Sequence, residues 1–115
     1  MKKLVFILGL MFTFNSYAQK STDHYVKVFD YDEYHKDWAL VKTIAKTYGF
    51  IDRNGTEIVP SIYAKIYKFG VYTEKLAMVK SVADSYGFIN EQGIEVIKAI
   101  YYTKEEAIQK LKTTL

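Results

Sequence analysis

Apolar and polar positions alternate in short runs along most of this chain, and each run predicts a strand. Tyr25 to Phe29 alternates in β-forming residues. The same reading predicts strands over Trp38–Ile44, Lys46–Asp52, Glu57–Val59, Ser61–Tyr67, Leu76–Val82, Ser85–Asn90 and Glu95–Ile97. Ala45-Lys46 falls in a tight turn between the second and third. Asp52-Arg53-Asn54-Gly55 predicts a type I turn followed by a residue of positive φ, which Gly55 tolerates, and Gly93 takes the same place after Asn90-Glu91-Gln92. Pro60, the single proline, ends the run that starts at Glu57, because it donates no ladder hydrogen bond. The period changes at the C-terminus. Thr103 followed by Glu106 is a capping-box signature, and Ala107, Ile108, Leu111 and Leu115 fall at helical spacing, which predicts a helix from about Lys104 to about Lys112.

The strand pattern is periodic at a longer range as well. Trp38–Tyr63 aligns without gaps on Leu76–Tyr101, 38 positions later. Identical pairs include Ala39/Ala77, Val41/Val79, Tyr48/Tyr86, Gly49/Gly87, Phe50/Phe88, Gly55/Gly93, Glu57/Glu95 and Tyr63/Tyr101. Conservative pairs include Leu40/Met78, Thr43/Ser81 and Thr47/Ser85. Upstream, Tyr25-Val26-Lys27-Val28-Phe29 keeps register with Tyr63-Ala64-Lys65-Ile66-Tyr67. Such self-similarity is the mark of a repeat architecture. The fold class expected is mainly β: antiparallel strand-hairpin repeats of 38-residue period, about two and a half copies, closed by a C-terminal α-helix.

An alanine-valine strand, then Tyr-Gly-Phe-Ile, then Gly-x-Glu-hydrophobic and Ile-Tyr resembles the WG-containing repeats of bacterial proteins. The resemblance covers roughly Tyr25 to Tyr102, with Tyr48 and Tyr86 where that family usually has tryptophan and no glycine ahead of Ala39 or Ala77. It implies a β-rich repeat and no catalytic residues.

The N-terminal region reads differently. Lys2-Lys3, the apolar run Leu4–Phe14 and Ser16-Tyr17-Ala18 predict a signal peptide over residues 1–18, cleaved before Gln19. The run is short of membrane-spanning length. The organisation expected is therefore signal peptide 1–18, polar leader 19–24, repeats 25–102 and capping helix 103–115, with an exported, periplasmic or extracellular product. Loss of Lys2 and Lys3 lowers the formal charge from +3 to +1, which argues against nucleic acid as a partner. Zero cysteines exclude disulfides and thiol catalysis. With 17% aromatic residues, the rings must supply much of the buried area.

Candidate chemistry is sparse. Asp30–Asp37 carries four acids and His35, but it lacks the glycine and terminal glutamate of a calcium loop, and its counterparts Lys68, Gly70 and Lys75 are not ligands. It reads as a solvated loop. Asp23 beside His24 makes half of an acid-base pair and no more. Glu57 and Glu95 recur at equivalent places and read as solvent-facing strand positions. Ser21, Ser61, Ser81 and Ser85 have no activating context, and no phosphate loop, nucleophile elbow or HExxH occurs. No enzyme activity, cofactor or metal is expected. The expected site is a surface: Tyr25, Lys27 and Phe29 on one face of a strand, with Tyr63, Lys65 and Tyr67 in its copy, while Val26, Val28, Ile62, Ala64 and Ile66 turn toward the core. The function expected is a non-catalytic module binding a protein or glycan partner. The alternative is a structural or scaffold protein without a specific ligand, and homodimerisation is the fallback for covering an exposed sheet edge.

Overall fold

A computed structural model describes residues 25–114. The expected signal peptide 1–18, the polar leader 19–24 and Leu115 lie outside the described residues. Seven strands follow in chain order: β1 (Tyr25–Tyr31), β2 (Ala39–Thr43), β3 (Tyr48–Ile51), β4 (Glu57–Ile66), β5 (Ala77–Ser81), β6 (Tyr86–Ile89) and β7 (Glu95–Tyr101). They form one antiparallel sheet in the order β1-β2-β3-β4-β5-β6-β7, and a single helix, α1 (Lys104–Thr114), follows. The β2–β3 pairs Ala39↔Ile51, Leu40↔Phe50, Val41↔Gly49 and Lys42↔Tyr48 have direct counterparts in β5–β6: Ala77↔Ile89, Met78↔Phe88, Val79↔Gly87 and Lys80↔Tyr86.

Both hairpin types close with a left-handed residue. In the first, Gly55 (φ 83°) and Gly93 (φ 81°) follow turns whose leading side chain caps the loop. Asp52 Oδ1 accepts the N–H groups of Asn54 and Thr56, and Asn90 Oδ1 accepts those of Gln92 and Ile94. In the second, Lys46 (φ 67°) and Asp84 (φ 62°) take that backbone. There Thr47 Oγ1 donates to the Ser61 carbonyl at 2.7 Å and Ser85 Oγ to the Ala99 carbonyl at 2.6 Å, tying each hairpin tip to the next strand.

That next strand departs from the sequence reading. Pro60 does not end a strand: β4 runs through it from Glu57 to Ile66. Between the pairs Phe50↔Val59 and Tyr48↔Tyr63, the three residues Pro60, Ser61 and Ile62 lie against the single residue Gly49. Proline is tolerated at such a bulge because ladder pairing is interrupted there. The bulge also explains the glycine of Tyr-Gly-Phe. A Cβ on Gly49 would collide with the Val59 carbonyl oxygen and approach Ser61 Cα to 2.8 Å, and one on Gly87 would meet backbone atoms of Ile97, Lys98 and Ala99. The glycine is needed for close approach of a backbone, not for an unusual φ.

The sheet buries both faces. Leu40 and Phe50 point to one side of β2–β3, Ala39, Val41 and Ile51 to the other, as strand alternation requires. The first side, with Val59 and Trp38, packs in one cluster with Tyr63, Ala77, Val79 and Ile89 of the following unit. The corresponding side of that unit, Met78, Phe88 and Ile97, is covered by Ala107 and Leu111 of α1. Each unit therefore stacks on the next, and the helix closes the stack. Its N-terminus is a full capping box: Thr103 Oγ1 accepts the Glu106 N–H at 3.1 Å, and Glu106 Oε1 accepts the N–H groups of Tyr102 and Thr103.

Candidate functional site

The bulges reset strand alternation, and so they redistribute the expected surface. Register shifts fall between Tyr25 and Lys27 and between Tyr63 and Lys65. Tyr63 is consequently core, 4% exposed, packed with Ala77, Val79 and Ile89. Its hydroxyl donates to the Glu95 carboxylate. Tyr25 repeats the arrangement half-buried, over Ala39, Val41 and Ile51, and donates to Glu57 Oε2 at 2.8 Å. Burial first, and then the carboxylate partner, push the Tyr25 hydroxyl up to about 12, and the same two causes raise Tyr63. Glu57 faces solvent as expected and Glu95 is half-buried, and both are structural acceptors; Ser61 Oγ also donates to Glu57 and the Ala99 N–H to Glu95. The recurrence of both tyrosine and glutamate was the signal for this pairing.

The expected aliphatic face is corrected as well. Ile66 is buried, but Val26, Val28 and Ile62 are exposed. A one-residue shift in pairing sends alternate side chains to the opposite side, so a bulge defeats any face assignment made by counting twos.

Four of the six expected site residues form two separate pairs. Lys27 Nζ sits 4.4 Å from the Phe29 ring centroid, and Lys65 Nζ sits 4.5 Å from that of Tyr67. Both lysines are exposed and both rings half-buried. A cleft of about 270 Å³ lies between β1 and β4, lined by Phe29, Tyr34, Leu40, Tyr48, Ala64, Lys65 and Ile66. Two further ammonium groups edge it, Lys42 at 5.8 Å from the Tyr48 ring and Lys68 at 5.6 Å from the Tyr34 ring. Tyr34, Tyr48, Lys42 and Lys68 were missed because the fold brings them in from β2, β3 and two loops.

The Asp30–Asp37 loop is more than solvated chain. Arg53 Nη2 donates to Asp32 Oδ2 and its Nε to Asp37 Oδ1, each at 2.8 Å, and the hydrogen bond from Nε holds the Asp37 carboxyl below its ordinary value. Tyr34 packs against Phe50, centroids 5.5 Å apart. His35 stacks on Trp38 at 4.4 Å and reaches Glu91 of the second unit at 3.1 Å. The loop clamps the two units and builds one wall of the cleft. Among the described residues, no three His, Asp or Glu side chains gather as a metal site would need.

One further feature recurs and was not foreseen. Ile44 and Val82, at the hairpin tips, are 84% and 69% exposed, and Ile62 and Ile100 are 55% and 60% exposed.

Residues 48–81, from the start of β3 to the end of β5, match the family described as WG containing repeat. The chain carries a WG-containing repeat over these residues. The matched segment starts at the Tyr-Gly step whose glycine the next strand crosses, and so it contains the bulge that shapes the unit. No curated protein and no solved structure matches the chain.

Proposed function

We propose that this protein is an exported, non-catalytic β-repeat module that binds a protein or glycan partner. The observation that supports the reading is the recurrence of an exposed lysine over a half-buried ring at equivalent positions, Lys27 over Phe29 and Lys65 over Tyr67. Such a pair offers a flat apolar area with few torsions to freeze, beside a charged tip on an apolar stem. The first pair borders an open cleft, whereas the Tyr67 ring of the second packs against α1. Export to the periplasm or cell exterior follows from the signal-peptide pattern over residues 1–18.

The test is site-specific cross-linking. A photoreactive residue at Lys27 or Lys65 should capture one partner in the exported fraction. With the photoreactive residue at Lys27, Lys65→Ala should weaken that capture, and with it at Lys65, Lys27→Ala should do the same, each with little change in melting temperature because both lysines are exposed. Absence of a cross-link, or a loss that simply tracks unfolding, would contradict the reading.

The exposed Ile44, Ile62, Val82 and Ile100 favour a second reading, a structural protein of the periplasm or surface that self-associates. Under it, sedimentation would show a dimer that Ile44→Thr with Val82→Thr converts to monomer.

A further inference from the structure

Resting on the partner-binding reading, we propose that the cleft between β1 and β4 is a binding site for an anionic polysaccharide, one whose sugar rings carry carboxylate or sulfate groups.

The first observation is the lining. Phe29, Tyr34 and Tyr48 give the cleft ring surface on three sides, with Leu40 and Ile66 adding aliphatic area. At about 270 Å³ it is at the small end of ligand pockets, suited to one ring-sized group rather than to an extended cofactor. The apolar C–H face of a sugar ring is complementary to such a surface.

The second observation is charge. Lys27, Lys42 and Lys68 each hold an ammonium over one of the three lining rings, at 4.4, 5.8 and 5.6 Å, and Lys65 lines the cleft itself. Among the described residues, none of these four lysines is in a salt bridge. Glu33, next to Tyr34 and close enough to help raise its hydroxyl, is an acid near the same ring. The excess of cations selects against neutral glycans. A ring beside an ammonium matches a sugar beside its own anion: the C–H face meets the aromatic ring and the anion meets the lysine.

The third observation is repetition and its limit. Ring–lysine pairs recur along the surface, at Lys27/Phe29 and Lys65/Tyr67. The first-unit pair borders the open cleft, which matches one ring-sized sugar unit carrying an apolar face and an anion together, rather than an acidic side chain without such a face. In the second unit the corresponding cleft is taken. Tyr67, Met78 and Tyr86, the counterparts of Phe29, Leu40 and Tyr48, pack with Ala107, Ile108 and Leu111 of α1, and Lys104 places its ammonium 4.9 Å from the Tyr67 ring. The chain thus fills the second-unit cleft with its own helix and leaves the first-unit cleft open.

The experiment measures binding of the purified full chain to polygalacturonate, dextran and poly-glutamate at low salt, by isothermal titration. Polygalacturonate should bind, dextran should not, and poly-glutamate should bind at least about tenfold more weakly than polygalacturonate. Lys65→Glu with Lys68→Glu, both at exposed positions, should weaken polygalacturonate binding at least about tenfold, with the melting temperature unchanged. Dextran binding as tightly as polygalacturonate, or indifference to the lysine changes, would overturn the anionic assignment. Equal binding of poly-glutamate would overturn the glycan assignment in favour of an acidic protein. No binding to any polymer would overturn the inference, while the cross-link from Lys27 or Lys65 decides the partner-binding reading separately.

Discussion

Replacing Gly87 with alanine separates two reasons for a strand glycine that predict opposite signs. Gly87 is not among the glycines with positive φ, so alanine can adopt its backbone. On conformational grounds alone, Gly→Ala at a compatible site stabilises by about 0.4–1 kcal/mol, through the entropy of the unfolded chain. Space reverses that expectation. The new Cβ would lie 2.7 Å from Ala99 N and 2.7 Å from Lys98 C, and closer still to the Ile97 carbonyl oxygen, all of them backbone atoms of the β7 bulge. Reaching ordinary contact with all three requires the bulge to retreat by about 1 Å. Overpacking of this kind costs about 1–3 kcal/mol. The retreat also lengthens the 2.6 Å bond from Ser85 Oγ to the Ala99 carbonyl, worth about 1 kcal/mol. The net loss is about 1–3.5 kcal/mol, which for a domain of this size lowers Tm by roughly 4–28 °C. Thermal and urea melts followed by circular dichroism measure it, with an unchanged urea slope showing that stability alone has moved. An alanine variant that melts at or above the parent temperature would refute the close-approach account of the Tyr-Gly-Phe motif.

Gly93→Val should cost about 1–3 kcal/mol, because a branched side chain is strained at φ 81° and would press on Ile58; chemical denaturation reads it, and no loss would contradict the turn assignment. Thr103→Ala should cost about 1 kcal/mol by removing the acceptor for the Glu106 N–H, seen as a lower urea midpoint and faster amide exchange in the first turn of α1. Tyr63→Phe should cost about 1–3 kcal/mol by leaving the Glu95 carboxylate without its phenol donor, and a neutral result would mean that the bond adds nothing. Tyr25, raised to about 12 against an unfolded value near 10, and Tyr63, raised with it, contribute stability that is complete below pH 10 and is lost as pH rises through their folded values; melting temperature should fall across that window, and less steeply in Tyr25→Phe.

Features set by nearby residues were legible in the sequence. The Asp52–Gly55 and Asn90–Gly93 turns, the Thr103–Glu106 cap and the strand-hairpin order each rest on chemistry within a few residues. What was not legible depends on the crossing of β4 over Gly49 and of β7 over Gly87. The β4 bulge carries Pro60 through a strand, sends Tyr63 inward and leaves Ile62 outside, and a separate shift in β1 after Tyr25 leaves Val26 outside. Their local trace was present, since Gly49 and Gly87 recur beside buried Phe50 and Phe88, but a glycine alone does not say which backbone will cross it. For the candidate site, Lys27, Phe29, Lys65 and Tyr67 were legible as recurring surface residues. Tyr34, Tyr48, Lys42 and Lys68 were not, because only the folded sheet brings them to the same cleft.

The ring–lysine surface is most directly tested by mapping amide and side-chain NMR shifts of the isotope-labelled protein during titration with a galacturonate oligomer. The account predicts saturable shifts at Lys27, Phe29, Tyr34, Tyr48 and Lys65, with the hairpin-tip residues Ile44 and Val82 unmoved. Shifts confined to Ile44, Ile62, Val82 and Ile100, or spread evenly over every lysine without saturation, would contradict it.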